Sequence, residues 1–126
     1  MSPNTPQAAE VKAAIDGLIQ SASNAEFDIL EDIYHDDMQI YMFDPDRNLN
    51  QMDKQAFSQH VTTSTEAAEA PNIWAKYHLV EADEKEGHVL ISRKVNLTGE
   101  ERVVTLSIDL VREDDRWQIT REVIFT

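Results

Sequence analysis

Two arginines stand out where the pattern calls for apolar side chains. Arg93 alternates with Val89, Ile91, Val95 and Leu97, and Arg121 alternates with Trp117, Ile119, Val123 and Phe125. An arginine turned toward a core must be paired or must reach water. Its planar fork suits carboxylate or phosphate. Two readings follow. Each Arg pairs with an internal acid from a helix, such as Asp16, or the two line an anion-binding pocket. In the second reading Tyr77 neighbours Arg93 and adds a hydroxyl, and Trp117 and Met42 supply apolar walls.

Other residues offer weaker chemistry. The stretch Asp44-Pro-Asp46-Arg-Asn48-Leu-Asn50 imitates the start of a calcium loop. The sixth position needs Gly and the twelfth Glu, whereas Leu49 and Gln55 stand there. A polar turn leading into a helix is the better reading. His35, His60, His78 and His88 lack metal-ligand spacing, so no metal is expected. His60 lies near the apolar face of its helix, as a core-edge side chain or a pocket residue. Asp109 shares a row with His88 and faces away from the helices if the last hairpin is regular. A β-bulge would turn it inward, where an acid among apolar walls can act as a proton donor. There is no nucleophile elbow, phosphate loop or dinucleotide fingerprint, and no cofactor is expected.

These residues need elements to hold them. Thr5 and Pro6 suit the start of a helix whose Val11, Ala14, Ile15, Leu18, Ile19 and Ala22 share one face. Ser23 and Glu26 have capping-box spacing before a second helical stripe of Phe27, Leu30, Ile33 and Tyr34. Met38–Phe43 reads as a strand apolar on both faces, with Met38, Ile40 and Met42 on one side and Tyr41 and Phe43 on the other. Asp44–Gln51 reads as a turn. Asp53 caps a third helix carrying Ala56, Phe57, His60 and Val61. From Ile73 the period switches to alternation, predicting strands at 73–82, 87–97, 100–113 and 116–126.

Short loops at Thr98-Gly99 and Asp114-Asp115 set a register in which opposed residues share a face. One face collects Val89, Ile91, Arg93, Val104, Leu106, Ile108, Leu110, Trp117, Ile119 and Arg121, with Ile73, Ala75, Tyr77 and Leu79 from the first long strand. The other carries Leu90, Val103, Val111 and Ile124 among Thr105, Ser107 and Thr120. The expected fold is α+β, three N-terminal helices against a curved antiparallel sheet. Residues 1–5 form a tail and 6–126 a single domain.

The chain has 126 residues, 11 Lys plus Arg against 24 Asp plus Glu, and a net charge of −13. That balance argues against nucleic acid and anionic membrane surfaces as partners. Cysteine is absent, which removes disulfides and thiolate chemistry. No basic segment followed by an apolar stretch marks the start, and no apolar run approaches the roughly 18 residues a spanning helix needs. A cytoplasmic location is the default expectation.

The order of elements resembles the nuclear transport factor 2-like (cystatin-like) superfamily over nearly the whole chain. The residues that carry the likeness are Ile33-Tyr34-His35-Asp36-Asp37-Met38 and Leu110-Val-Arg-Glu-Asp-Asp-Arg-Trp117-Gln-Ile119. The second segment is similar to the ending of the small lumazine-binding-type and SnoaL-like members, with Asp115 in place of the usual turn glycine. The resemblance implies a cone-shaped fold with a deep pocket, commonly a homodimer through the outer sheet face. With the parity of the strands, the expectation is a small-molecule-binding protein for an anionic or polar-aromatic ligand, with Arg93, Arg121, Tyr77, Trp117, Met42 and His60 as lining. The superfamily also contains ketosteroid isomerase, whose last strands resemble Ile108-Asp109-Leu-Val-Arg112. That likeness would make Asp109 the oxyanion-hole acid. The isomerase base aligns with Met42, and with Asp44 only after a two-residue insertion. A cofactor-free isomerase, cyclase or dehydratase is therefore the alternative, and a dimeric association module the third reading.

Overall fold

A computed structural model describes residues 5–23, 32–44, 46–56, 74–95 and 102–125. The elements are α1 (Pro6–Ser23), β1 (Tyr34–Phe43), β2 (Leu49–Asp53), β3 (Ala75–Ala82), β4 (Glu86–Val95), β5 (Arg102–Glu113) and β6 (Arg116–Phe125).

The start of α1 follows from its capping chemistry. The Thr5 hydroxyl accepts the Ala8 N–H at 3.1 Å, and Pro6 occupies the first helical position, where a missing N–H costs nothing. The same hydroxyl donates to the Ala82 carbonyl at 3.1 Å, tying the helix start to the end of β3. Ala8, Val11, Ile15, Leu18 and Ile19 are buried at helical spacing. Gly87 on β4 lets this stripe approach closely. A Cβ there would lie 2.8 Å from Val11 Cγ2 and 3.4 Å from the Trp117 ring.

The strands form one six-stranded sheet in the order β2-β1-β6-β5-β4-β3. The meander β3-β4-β5-β6 is antiparallel throughout, as its short turns predict. Asp114 and Asp115 both have positive φ, 53° and 61°, the left-handed geometry a two-residue hairpin turn demands. The sheet is not wholly antiparallel: β1 joins it by pairing parallel with β6.

Three departures from the sequence reading have identifiable causes. β2 falls largely where a turn is expected, because its exposed, mostly polar residues carry no apolar alternation. Tyr34 begins β1 rather than ending a helix, since a lone apolar residue at an element boundary fits either period. Most of the second and third expected helices, with His60, lie outside the described residues. Among the described residues α1 is the one full helix. Helical backbone also appears at 32–33 and 54–56, the latter with Asp53 Oδ1 accepting the Ala56 N–H at 2.9 Å.

Register shifts correct the predicted faces. The pairing steps from Leu110↔Ile119 to Asp109↔Arg121, leaving one extra residue on β6. A bulge of this kind reverses every side chain beyond it. Ile119 stays inside, and then Glu122 and Ile124 face the core while Arg121, Val123 and Phe125 face outward. A second shift, between Tyr77 and Leu79, turns Leu79 outward and Val80 inward.

Candidate functional site

The inner face of the sheet, toward α1, is built mostly from Val89, Ile91, Val104, Leu106, Ile108, Leu110, Ile119 and Ile124. Among the described residues, three polar side chains, Glu122, Tyr34 and Arg93, are set on it, besides Tyr77 at its β3 edge. Glu122 of β6 stands opposite Ile108 and Ile40, Tyr34 opens β1 opposite Ile119, and Arg93 of β4 stands opposite Val104. Glu122 is 3% exposed and Tyr34 is 6% exposed.

The Tyr34 hydroxyl donates to Glu122 Oε1 at 3.4 Å, a long contact that only partly replaces water. Burial pushes the Glu122 carboxyl up to about 7, against the opposing pull of Arg93 and the Tyr34 hydroxyl. Burial likewise drives the Tyr34 phenol well above its ordinary value, with the Glu122 charge acting in the same direction. Burial lowers Arg93, while Tyr34, Glu122 and Tyr77 oppose that shift.

Arg93 is the least satisfied of the three. Its Nε is buried and has no hydrogen-bond partner among the described residues. Asp16, the helix acid expected to neutralise an inward arginine, is engaged elsewhere: the Tyr77 hydroxyl donates to its Oδ1 at 2.6 Å. Burial first, and then this carboxylate, raise the Tyr77 phenol. Lys12 lies over the Tyr77 ring at 5.1 Å, completing a small polar edge where α1 meets β3.

The predicted residues divide accordingly. Arg93 and Tyr77 share the inner face and sense each other's charge. Met42 lies on the same face and packs against the core. Trp117 also packs there but at the far end of β6, its Nε1–H donating to Glu10 at 3.1 Å. His60 falls outside the described residues. Arg121 does not face inward: the bulge places it outside, exposed, with its guanidinium 5.8 Å from the Tyr41 ring centroid.

The alternative acids are placed away from this face. Asp109 lies on the outer face, its Oδ1 2.7 Å from His88 Nδ1, because β6 carries the bulge and β4–β5 pairing is unbroken. Asp44 closes the β1–β2 turn, where its Oδ1 accepts the N–H groups of Asp46 and Asn48, each at 2.9 Å. Glu122 is the functional candidate that sequence parity misses. The one signal pointing to it is its adjacency to Arg121, since a single slip exchanges the two.

A search of curated proteins finds no match to this chain. Solved structures are similar in fold. An NTF2-like protein from Cytophaga hutchinsonii superposes with a TM-score of 0.77 at 11% identity, covering 97% of this chain and 99% of the other. An NTF-2-like protein of unknown function from Silicibacter pomeroyi gives 0.75 at 13% identity, covering 92% of each chain. One from Shewanella baltica, also of unknown function, gives 0.72 at 14% identity with 96% of each chain covered. The family model for the SnoaL-like domain matches residues 11–124. Running from α1 into the last strand, that match shows that this chain belongs to the SnoaL-like domain family, within the nuclear transport factor 2-like superfamily.

Proposed function

We propose that the inner face binds a small organic molecule between α1 and the sheet, with an anionic or polar-aromatic group of the ligand meeting Arg93. The observation carrying this reading is the buried Arg93 Nε without a partner among the described residues. Leaving a buried charged donor unmatched is costly, so a ligand acceptor relieves the site as it binds. Tyr77 and Met42 on the same face provide a hydroxyl and an apolar wall.

A melting-temperature screen of small aromatic acids and their neutral amides tests it, because a ligand that prefers the native state must stabilise it. At least one compound should raise the melting temperature of the wild type and leave Arg93→Met unchanged. Equal shifts in both proteins would remove Arg93 from the site, and no shift with any compound would count against binding altogether.

The Glu122 carboxyl supports a second reading. A buried acid titrating at about 7 is matched to proton transfer at neutral pH, which favours a cofactor-free isomerase, cyclase or dehydratase. In that reading Glu122 takes the role that sequence parity offers to Asp109 or Asp44.

Association through the outer sheet face is a further part of the proposal. Val103 is 57% and Phe125 44% exposed there, and Phe125 stacks on Phe43 at 5.8 Å. Ile124, expected on this face, is buried in the core instead. Light scattering should show a homodimer that Val103→Asp weakens; a monomer at micromolar concentration would end this proposal.

A further inference from the structure

Glu122 and Arg93 both face the core, yet they do not form an ion pair among the described residues. Arg93 stands opposite Val104, whereas Glu122 stands opposite Ile108, four residues further along β5. The apolar Leu106 occupies the inner-face position between them. Among the described residues, the other titratable groups near this region are Tyr34 on β1, Tyr77 on β3, and Asp16 and Lys12 at the exposed edge of α1. Asp16 is taken by Tyr77, and Tyr34 already donates to Glu122. The inner residues of β5 between these positions, Val104, Leu106 and Ile108, are apolar and buried.

From this arrangement we infer that the site takes up a small organic carboxylate together with one proton, which resides on Glu122 in the complex. The inference rests on the ligand-binding reading above and specifies the chemistry of its ligand. The incoming carboxylate accepts from the unpartnered Arg93 Nε–H. It brings a second negative charge into a region where Glu122 is already shielded from water. Two ionised carboxylates in such surroundings repel, and protonating one of them relieves the repulsion. The balance is simple: ionised Glu122, one carboxylate ligand and one solvent proton become protonated Glu122 with the bound carboxylate. No bond other than the O–H of Glu122 is formed. Its titration at about 7 when unliganded supplies the proton-accepting form at mildly alkaline pH.

Benzoate, with benzamide as its neutral counterpart, tests the inference by isothermal titration calorimetry on the full chain. At pH 8, heats measured in buffers of different ionisation enthalpy should report uptake of about one proton per benzoate bound. The benzoate affinity should fall about tenfold per pH unit above the Glu122 titration. Glu122→Gln should bind benzoate with no proton uptake and a flat pH profile, and Arg93→Met should lose benzoate binding. Benzoate binding to the wild type without proton uptake at pH 8, or with uptake unchanged in Glu122→Gln, would overturn the inference and leave the ligand-binding reading standing. Benzamide binding in the absence of benzoate binding at pH 6 would also overturn it, because the site would then favour a neutral group. Failure of both probes to bind at pH 6 and pH 8 would defeat the inference and the binding reading together for aromatic ligands of this size.

Discussion

Two carboxylates, on opposite faces of the same sheet, occupy very different situations. On the outer face Asp109 meets His88 at 2.7 Å, with the Asp109 side chain 45% exposed. Water screens that pair, so its contribution to stability is small, about 0–1 kcal/mol. On the inner face Glu122 is 3% exposed, has a 3.4 Å contact from Tyr34, and feels Arg93 only at a distance. The contrast teaches that the unusual acid is the one with poorer contacts. Withdrawal from water with incomplete replacement brings the Glu122 carboxyl up to about 7.

A pair of isosteric substitutions followed by urea unfolding across pH separates the two carboxylates by the largest expected effect. Glu122 has a folded value of about 7, above its unfolded value, so the folded chain holds more protons between those two values. The stability it contributes is complete below the unfolded value and is lost as pH rises through about 7. Glu122→Gln should remove that loss. The variant should match the wild type near pH 5 and exceed it by about 3 kcal/mol at pH 8.5. Arg93→Met should move the wild-type transition to higher pH, because Arg93 opposes the Glu122 shift. Asp109→Asn should change stability at pH 7 by no more than about 1 kcal/mol. Equal pH profiles for Glu122→Gln and Asp109→Asn would abolish the distinction between the faces.

Two glycines sharpen the same contrast in terms of packing. A Cβ at Gly87 collides with Val11 Cγ2 at 2.8 Å, so Gly87→Ala should cost about 1–3 kcal/mol in chemical denaturation. Gly17 on α1 has nothing within 4 Å of a Cβ position. Gly17→Ala should therefore stabilise the chain by up to about 1 kcal/mol. The smallest expected effect is at the β5–β6 turn. Asp115 holds a φ of 61°, and Asp115→Gly should raise stability by roughly 0.5 kcal/mol without altering either face.

Much of this arrangement was legible in the residues. The Thr5 cap, the α1 stripe, the Asp53 cap and the antiparallel meander follow from local rules of spacing and turn chemistry. The inward position of Arg93 follows from the β4–β5 hairpin, whose register is unbroken across the described residues. The parallel contact of β1 with β6 depends on packing between segments far apart in sequence, and no local period announces it. β2 is legible only from its partner, because its own side chains lie mostly in water. Of the candidate site, the inward placement of Arg93 and Tyr77 follows from parity, whereas that of Glu122 is hidden by a bulge that leaves no Gly or Pro in the segment Ile119-Thr120-Arg121.

The bulge gives Thr120 an importance out of proportion to its contacts, one of which is a 3.3 Å donation from its hydroxyl to the Asp109 carbonyl. As the extra residue, it decides which of its two successors meets the core. Deleting it would leave a straight ladder with Arg121 still opposite Asp109 and Glu122 still opposite Ile108, whereas taking it into the ladder opposite Asp109 would bring Arg121 beneath α1 and send Glu122 to the outer face. The interior would exchange a buried acid for a second buried base. Within a strand of this kind, one extra residue kept out of the ladder thus fixes the sign of the interior charge without any change in the residues that supply it.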